Sequence, residues 1–296
     1  MKQIKLKRIL YSDTTWAFVL LLPNFLGFLI FLIIPMIISF GMSFVSWDLF
    51  GPVRWVGFDN YIELFLEDQV FRRVFWNTMY FTAVTVPIGI VLSLFLALAM
   101  DQKIIGIKFF RIAYFMPVIS SMIAVAIVWQ WIYNPEFGLL NYFLGLIGIE
   151  GPSWLSDVFW AMPAIIVVSI WQGLGFNMLL FLAGLQGISE VYYEAAEVDG
   201  AGWFEKFWNI TIPLLAPTTF FVMVMAAIGA FQAFDAVYLM TAGGPARATS
   251  VLAHYIYQNA FQYFRMGYAS ALAYVLFFIV LIFTLIQLRR QRSWLL

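Results

Sequence analysis

From Trp16 to Val45 this chain runs for thirty residues without a charged side chain. A helix needs about 20 predominantly apolar residues to cross the roughly 30 Å hydrocarbon core of a bilayer. Five further stretches meet that requirement, at roughly 76–100, 112–133, 158–185, 214–240 and 268–288. Together the six hold one acidic residue, Asp235, and no Lys, Arg or His. In lipid every backbone polar group must be satisfied within the chain, so such segments become helices. The expected fold class is an all-α membrane protein of six transmembrane helices, forming a single domain over residues 1–296. Composition agrees, with 64% of residues hydrophobic and 11% charged. A soluble domain carries charge on about a quarter of its residues, and one core of this length cannot hide so much apolar surface.

The start, MKQIKLKRIL, is basic and precedes the first apolar run, as in a signal peptide. That run is about twice the length of a secretory h-region, and no small-residue cleavage site follows, so it reads as a retained first span. Thirty helical residues reach about 45 Å, more than the hydrocarbon core. Pro23 and Pro35 are expected to kink it.

Orientation follows from the basic residues, which concentrate on the cytoplasmic side of membrane proteins. With the N-terminus inside, the inner segments hold Lys2, Lys5, Lys7, Arg8, Lys103, Lys108, Arg111, Lys206, Arg289, Arg290 and Arg292. The outer segments hold Arg54, Arg72, Arg73, Arg247 and Arg265. The bias places both termini in the cytoplasm, and with them the loop at 186–213. The expected setting is a multi-pass position in a cell membrane.

That loop is unlike a turn. SEVYYEAAEVDGAGWFEKFWNITIPLLAP carries Glu190, Glu194, Glu197, Asp199 and Glu205 against one Lys206, together with Tyr192, Tyr193, Trp203, Phe204, Phe207 and Trp208. Small residues on a helix permit tight contact, and Gly200 can take the positive φ that turns the chain out of it. Pro213 is expected to end the exposed segment and open the fifth span. On residues alone, a docking helix and an interfacial helix that caps the bundle are equally good readings. The wording Glu194-Ala195-Ala196, Asp199-Gly200-Ala201, then Ile210 and Pro213, resembles the EAA loop of ABC importer permeases. WVGFDNY, NPEFGLLN, GFNMLLFLAGLQGI, FQAFDAVYLMTAGGP and GYASAL resemble the carbohydrate-uptake branch of that family, so the likeness runs from about residue 16 to 290.

The resemblance implies a type I importer permease fold and a transporter subunit rather than an enzyme. It implies a binding-protein-dependent system with a homologous second permease, an ABC ATPase dimer and an extracellular sugar-binding protein, importing oligosaccharides such as raffinose-type sugars or maltodextrins. The coupling residues are then Glu194, Ala195, Ala196, Asp199, Gly200, Ala201 and Pro213, on the helix that docks into the ATPase. No long outer domain interrupts the early spans, so the chain is similar to the compact members rather than to the maltose-type partner.

The remaining residues are consistent with this. No G-x-x-x-x-G-K-[ST] is present, so no ATP site and no cofactor is expected on this chain. Net charge is zero and gives no sign of nucleic acid, cysteine is absent, and the lone His254 builds neither a metal site nor a triad. Amides, carboxylates and flat aromatic surfaces suit sugars. The candidates for a substrate path are Gln130, Trp171, Gln172, Asn177, Gln232 and Asp235. Gln232 and Asp235 are expected on one face of the fifth span, three residues apart. The bland reading of each is interhelical glue or an interface aromatic. A glycerol phosphate importer of the same architecture is the alternative. An intramembrane enzyme needs a paired carboxylate, a Ser/Lys or Ser/His pair or a metal cluster in the spans, which is not seen. A membrane scaffold leaves the docking loop without a purpose.

Overall fold

The structure is a computed structural model and describes residues 13–102 and 104–291. Lys2, Lys5, Lys7, Arg8, Lys103 and Arg292, used above for orientation, lie outside them, as do the chain ends expected in the cytoplasm.

The chain falls into two compact units. The first comprises the chain up to Leu66 with Asn259–Tyr274. It contains α1 (Asp13–Phe28), a π turn at Leu29–Ile33, α2 (Ile34–Met42), a two-stranded antiparallel hairpin of β1 (Val45–Ser46) and β2 (Arg54–Trp55), and α3 (Asp59–Ile62). The π turn has a cause in the sequence. Pro35 lacks the N–H that a helix would aim at Phe31 and its ring crowds that carbonyl, so the helix widens just before it. The first candidate span, Trp16–Met42, buries none of its most apolar stretch within the chain. Below it, the Asn60 amide donates to the carbonyls of Ser43 (2.9 Å) and Val45 (3.0 Å), and Arg265 pairs with Glu63 at 2.6 Å.

The second unit comprises Glu67–Gln258 with the chain from Val275 onward. It holds α4 (Gln69–Met100), α5 (Ile107–Ile119), α6 (Met122–Ile132), α7 (Leu139–Leu146), α8 (Ala161–Gln186), α9 (Glu190–Val198), α10 (Trp203–Lys206), α11 (Ile212–Leu214), α12 (Ala216–Phe231), α13 (Asp235–Thr241) and α14 (Leu252–Tyr257). The last helix, α15 (Met266–Gln291), begins in the first unit and ends in the second. Four helices are long and apolar enough to span, at Trp16–Met42, Gln69–Met100, Ala161–Gln186 and Met266–Arg289. Two bent pairs pass the same test together: Ile107–Ile119 with Met122–Ile132, bent by 100°, and Trp203–Leu214 with Ala216–Phe231, bent by 63°. With each pair taken as one crossing, the described residues make six.

Packing sets their directions. Phe81 and Val86 of α4 share a buried cluster with Ile165 and Ile166 of α8. Further along both helices, Ala97 and Met100 share a second cluster with Met178, Phe181 and Leu185. The two helices therefore run the same way, which requires an odd number of crossings between them. The α5–α6 pair is that crossing: Ile107 borders the second cluster, and Val125 and Ala126 belong to the first. Helix α12 also runs opposite to α4, from Val222 in the second cluster to Ala227 and Ala230 in the first. Residues 101, 102 and 104–106 and the segment 187–215 thus lie at the same end of this unit.

Small residues allow the close approach of these helices. A Cβ on Gly175 would stand 2.2 Å from the Tyr114 carbonyl oxygen, so α5 and α8 pack backbone to backbone. Gly173 and Gly229 instead face open space.

Three elements differ from the sequence expectation. The second span starts at Gln69 rather than near residue 76, because Asp68 caps it by accepting from the Phe71 N–H at 2.9 Å. The third breaks at Ser120 and Ser121, which are extended, with ψ of 139° and 133°. The fifth begins at Ala216 and stops at Phe231, and residues 232–234 separate it from α13. Pro217, in the first turn of α12, opens that span. Pro213 sits instead in the helical leg before the bend, two residues after a π turn at Phe207–Thr211. Pro35 stands in the same relation to its own π turn.

His254 is buried among the residues following α13, with its Nδ1 3.1 Å from the Ser250 hydroxyl. Burial, with the Arg247 charge added, holds its pKa below the ordinary histidine value.

Candidate functional site: a cavity at two helix breaks and a braced docking segment

A cavity of about 530 Å³ opens in the second unit. Its wall includes Phe81, Thr85 and Gly89 of α4, and Ser169, Gln172, Phe176 and Asn177 of α8. Val118 and Met122, on either side of the Ser120–Ser121 break, border it, as does every residue from Gln232 to Ala236 across the second break. A broken helix at membrane depth frees backbone N–H and C=O groups, which is tolerated only in protein or beside a watered cavity. Both breaks meet at this one cavity. It has one carboxylate, Asp235, and its lining carries no Lys, Arg or His.

Four of the six path candidates stand on this wall: Gln172, Asn177, Gln232 and Asp235. Gln232 and Asp235 arrive there differently from expectation. They do not share a helical face, because α12 ends at Phe231 and Asp235 is the first residue of α13. The break turns both toward the cavity, where both are exposed. Gln130 is not on the wall. Its amide donates to the carbonyls of Leu239 (2.9 Å) and Met240 (3.2 Å), in the last turn of α13, where helical carbonyls lack partners. Trp171 is off the wall too, with its ring edge-on to Trp129 at 5.5 Å. Asn77 holds the carbonyls of Arg247 and Ser250, at 2.9 Å each.

Sequence reasoning passed over Thr85 and Ser169. The Thr85 hydroxyl is buried at the cavity wall without a hydrogen-bond partner among the described residues. Ser169 is satisfied by the Ile165 carbonyl at 2.9 Å. A lone hydroxyl in an apolar helix is common, and only its depth and direction mark it.

The segment between α8 and α12 is the second feature. Helix α9 turns Tyr193 and Ala196 inward and leaves Val191, Glu194, Ala195 and Val198 exposed, Val198 by 88%. Of the Glu194-Ala195-Ala196 candidates, Glu194 and Ala195 therefore face outward. Ala196 faces its own loop, where its carbonyl accepts the Ala201 N–H at 2.8 Å. Asp199 ends the helix, and Gly200 takes φ +81° with open space around it. The following turn is closed by Glu205, which accepts the Gly202 N–H at 2.7 Å. Lys206 then reaches back to Glu197 at 2.6 Å. Trp203 stacks on Phe207 at 5.5 Å, and Trp203, Phe204 and Trp208 are all exposed. The outward surface is thus acidic along α9 and aromatic along the return leg.

The chain matches the family described as "Binding-protein-dependent transport system inner membrane component" over residues 71–291. It is 33% identical to the arabinooligosaccharides transport system permease protein AraP of Bacillus subtilis, over 99% of this chain and 94% of that one. It is 33% identical to the sn-glycerol-3-phosphate transport system permease protein UgpA of Salmonella typhimurium, over 97% of each. Among solved structures, a chain of a bacterial alginate ABC transporter, in complex with an alginate pentasaccharide-bound periplasmic protein, superposes with a TM-score of 0.83. That likeness has 27% identity and covers 99% of this chain and 96% of the other. The chain belongs to the binding-protein-dependent transport system inner membrane component family, the permease subunits of ABC importers.

Proposed function

We propose that this chain is one of two homologous permeases in an importer that takes up oligosaccharides, with the cavity at the helix breaks as its part of the path. The observation that carries this reading is the cavity lining. Amides, hydroxyls, one carboxylate and aromatic rings match the hydroxyl and C–H faces of a sugar. An extracellular binding protein delivers the solute. Glu194, Ala195, Asp199, Gly200 and Ala201 form the surface that meets the ATPase, and hydrolysis belongs to that other chain. The alginate transporter seen with its periplasmic protein supports this assembly, and the arabinooligosaccharide permease supports the solute class.

The glycerol-phosphate permease among the relatives favours a second reading. A phosphate dianion calls for cationic partners. This cavity offers a carboxylate instead and no cation of its own.

The test is competition in proteoliposomes holding the full importer with its binding protein. Neutral oligosaccharides should be taken up with ATP, and glycerol 3-phosphate should not compete. Uptake of glycerol 3-phosphate with no oligosaccharide uptake would reverse the assignment.

A further inference from the structure

The docking segment is braced internally in a way that its docking role alone does not require. Two rungs join α9 to the return leg. At the tip, the Lys206 ammonium donates to Glu197 at 2.6 Å. At the root, the Tyr193 hydroxyl and the Thr211 hydroxyl are 2.9 Å apart, and Thr211 is 5% exposed. Tyr193 and Glu197 are four residues apart, one α-helical turn, so they share a face of α9. Lys206 and Thr211 are five apart, which in an α-helix would put them out of line. The return leg is a π turn over Phe207–Thr211, however, and its i to i+5 spacing brings Thr211 under Lys206. The Thr211 hydroxyl also lies 3.4 Å from the Lys206 carbonyl. The widened turn therefore aligns both rungs.

The root rung leads into the membrane domain. The Thr211 carbonyl accepts the Leu215 N–H at 2.9 Å, and Leu215 is fully buried in the cluster formed with Phe181, Leu185 and Val222. Leu215 is also the bend, of 63°, between the return leg and α12. At its far end, α12 carries Gly229 and Ala230 to the cavity, and Gln232 follows its last residue there.

We infer that the Tyr193–Thr211 contact is the positioning contact that makes the docking segment a single lever on the fifth span. A push at the docking surface then tilts the return leg about Leu215. Without the root rung, α9 slides on the return leg and the push is absorbed in the loop. The inference rests on the docking reading above. Neither residue touches solute or nucleotide.

The test uses the complete importer in proteoliposomes, with Tyr193→Phe, Thr211→Val and the double variant, and Thr211→Ser as a control that keeps the hydroxyl. Three quantities are read: ATPase retained on purification, binding-protein-stimulated hydrolysis, and solute moved per ATP. ATPase retention should match wild type in all variants. Solute per ATP should fall about three- to tenfold in each single variant, the range expected for one hydrogen bond. The double should be no worse than either single, and Thr211→Ser should stay near wild type. Wild-type solute per ATP in Tyr193→Phe, or losses that multiply in the double, would overturn the lever. Loss of the ATPase from these variants would overturn it too, because the contact would then serve attachment. Failure of the wild-type chain to retain the ATPase would instead remove the docking reading itself.

Discussion

Gly200 and Gly175 illustrate two reasons for a glycine, and they separate by experiment. Gly200 has φ +81° and empty space where a Cβ would go, so Gly200→Ala meets backbone strain alone, about 1 kcal/mol. That strain is confined to the turn at the tip of the docking segment. The variant should keep the thermal midpoint of the permease and lose several-fold in ATPase retention. Gly175→Ala forces a methyl against the Tyr114 carbonyl, an overpacking worth roughly 1–3 kcal/mol. It should lower the thermal midpoint of the purified permease. Equal effects of the two on both readouts would deny this separation. Residue chemistry was legible in the sequence to this level, and direction was not. Gln172, Gln232 and Gln130 are the same side chain in similar surroundings, and the first two reach the cavity while the third caps the carbonyls of α13. Which way an amide points depends on where the neighbouring helices end, which composition does not record.

At the scale of elements, the apolar runs announced the spans and concealed their breaks. The third run, 112–133, reads as one helix because Ser120 and Ser121 are short and uncharged. Their extended backbone turns it by 100°. The fifth run continues in composition through Phe234, and its helix does not. Of the two prolines expected to kink the first span, Pro35 follows a π turn and Pro23 lies inside the unbroken α1. Pro35 and Pro213 each follow a π turn, and Pro217 opens the fifth span. What the structure adds most usefully is sidedness within the second unit. The shared direction of α4 and α8 puts residues 101 and 102 at the same end as the 187–215 segment, away from the 134–157 loop. The chain has no cysteine, so single introduced thiols report this cleanly. Ser153→Cys should react with an impermeant maleimide on intact cells, and Gln102→Cys only after permeabilisation. Labelling of Gln102→Cys on intact cells would break the assignment of ends.

For the molecule as a whole, the resemblance in the sequence extended over nearly the full chain, and the family match covers residues 71–291. Gly200 was legible in the loop because its positive φ is a requirement of the backbone. The cavity was not, because it is made where two helix breaks from distant parts of the chain meet. The cavity and the segment between α8 and α12 are joined by α12, which begins at the bend at Leu215 and ends at the cavity. The most direct test is uptake by the full importer, normalised to assembled complex, in Gln232→Leu and Asp235→Leu. A hydrogen bond to a charged group is worth roughly 1.5–3 kcal/mol, so oligosaccharide uptake per complex should fall about tenfold or more in Asp235→Leu, and less steeply in Gln232→Leu, with assembly unchanged. Wild-type uptake per complex in both variants would contradict a path through this cavity.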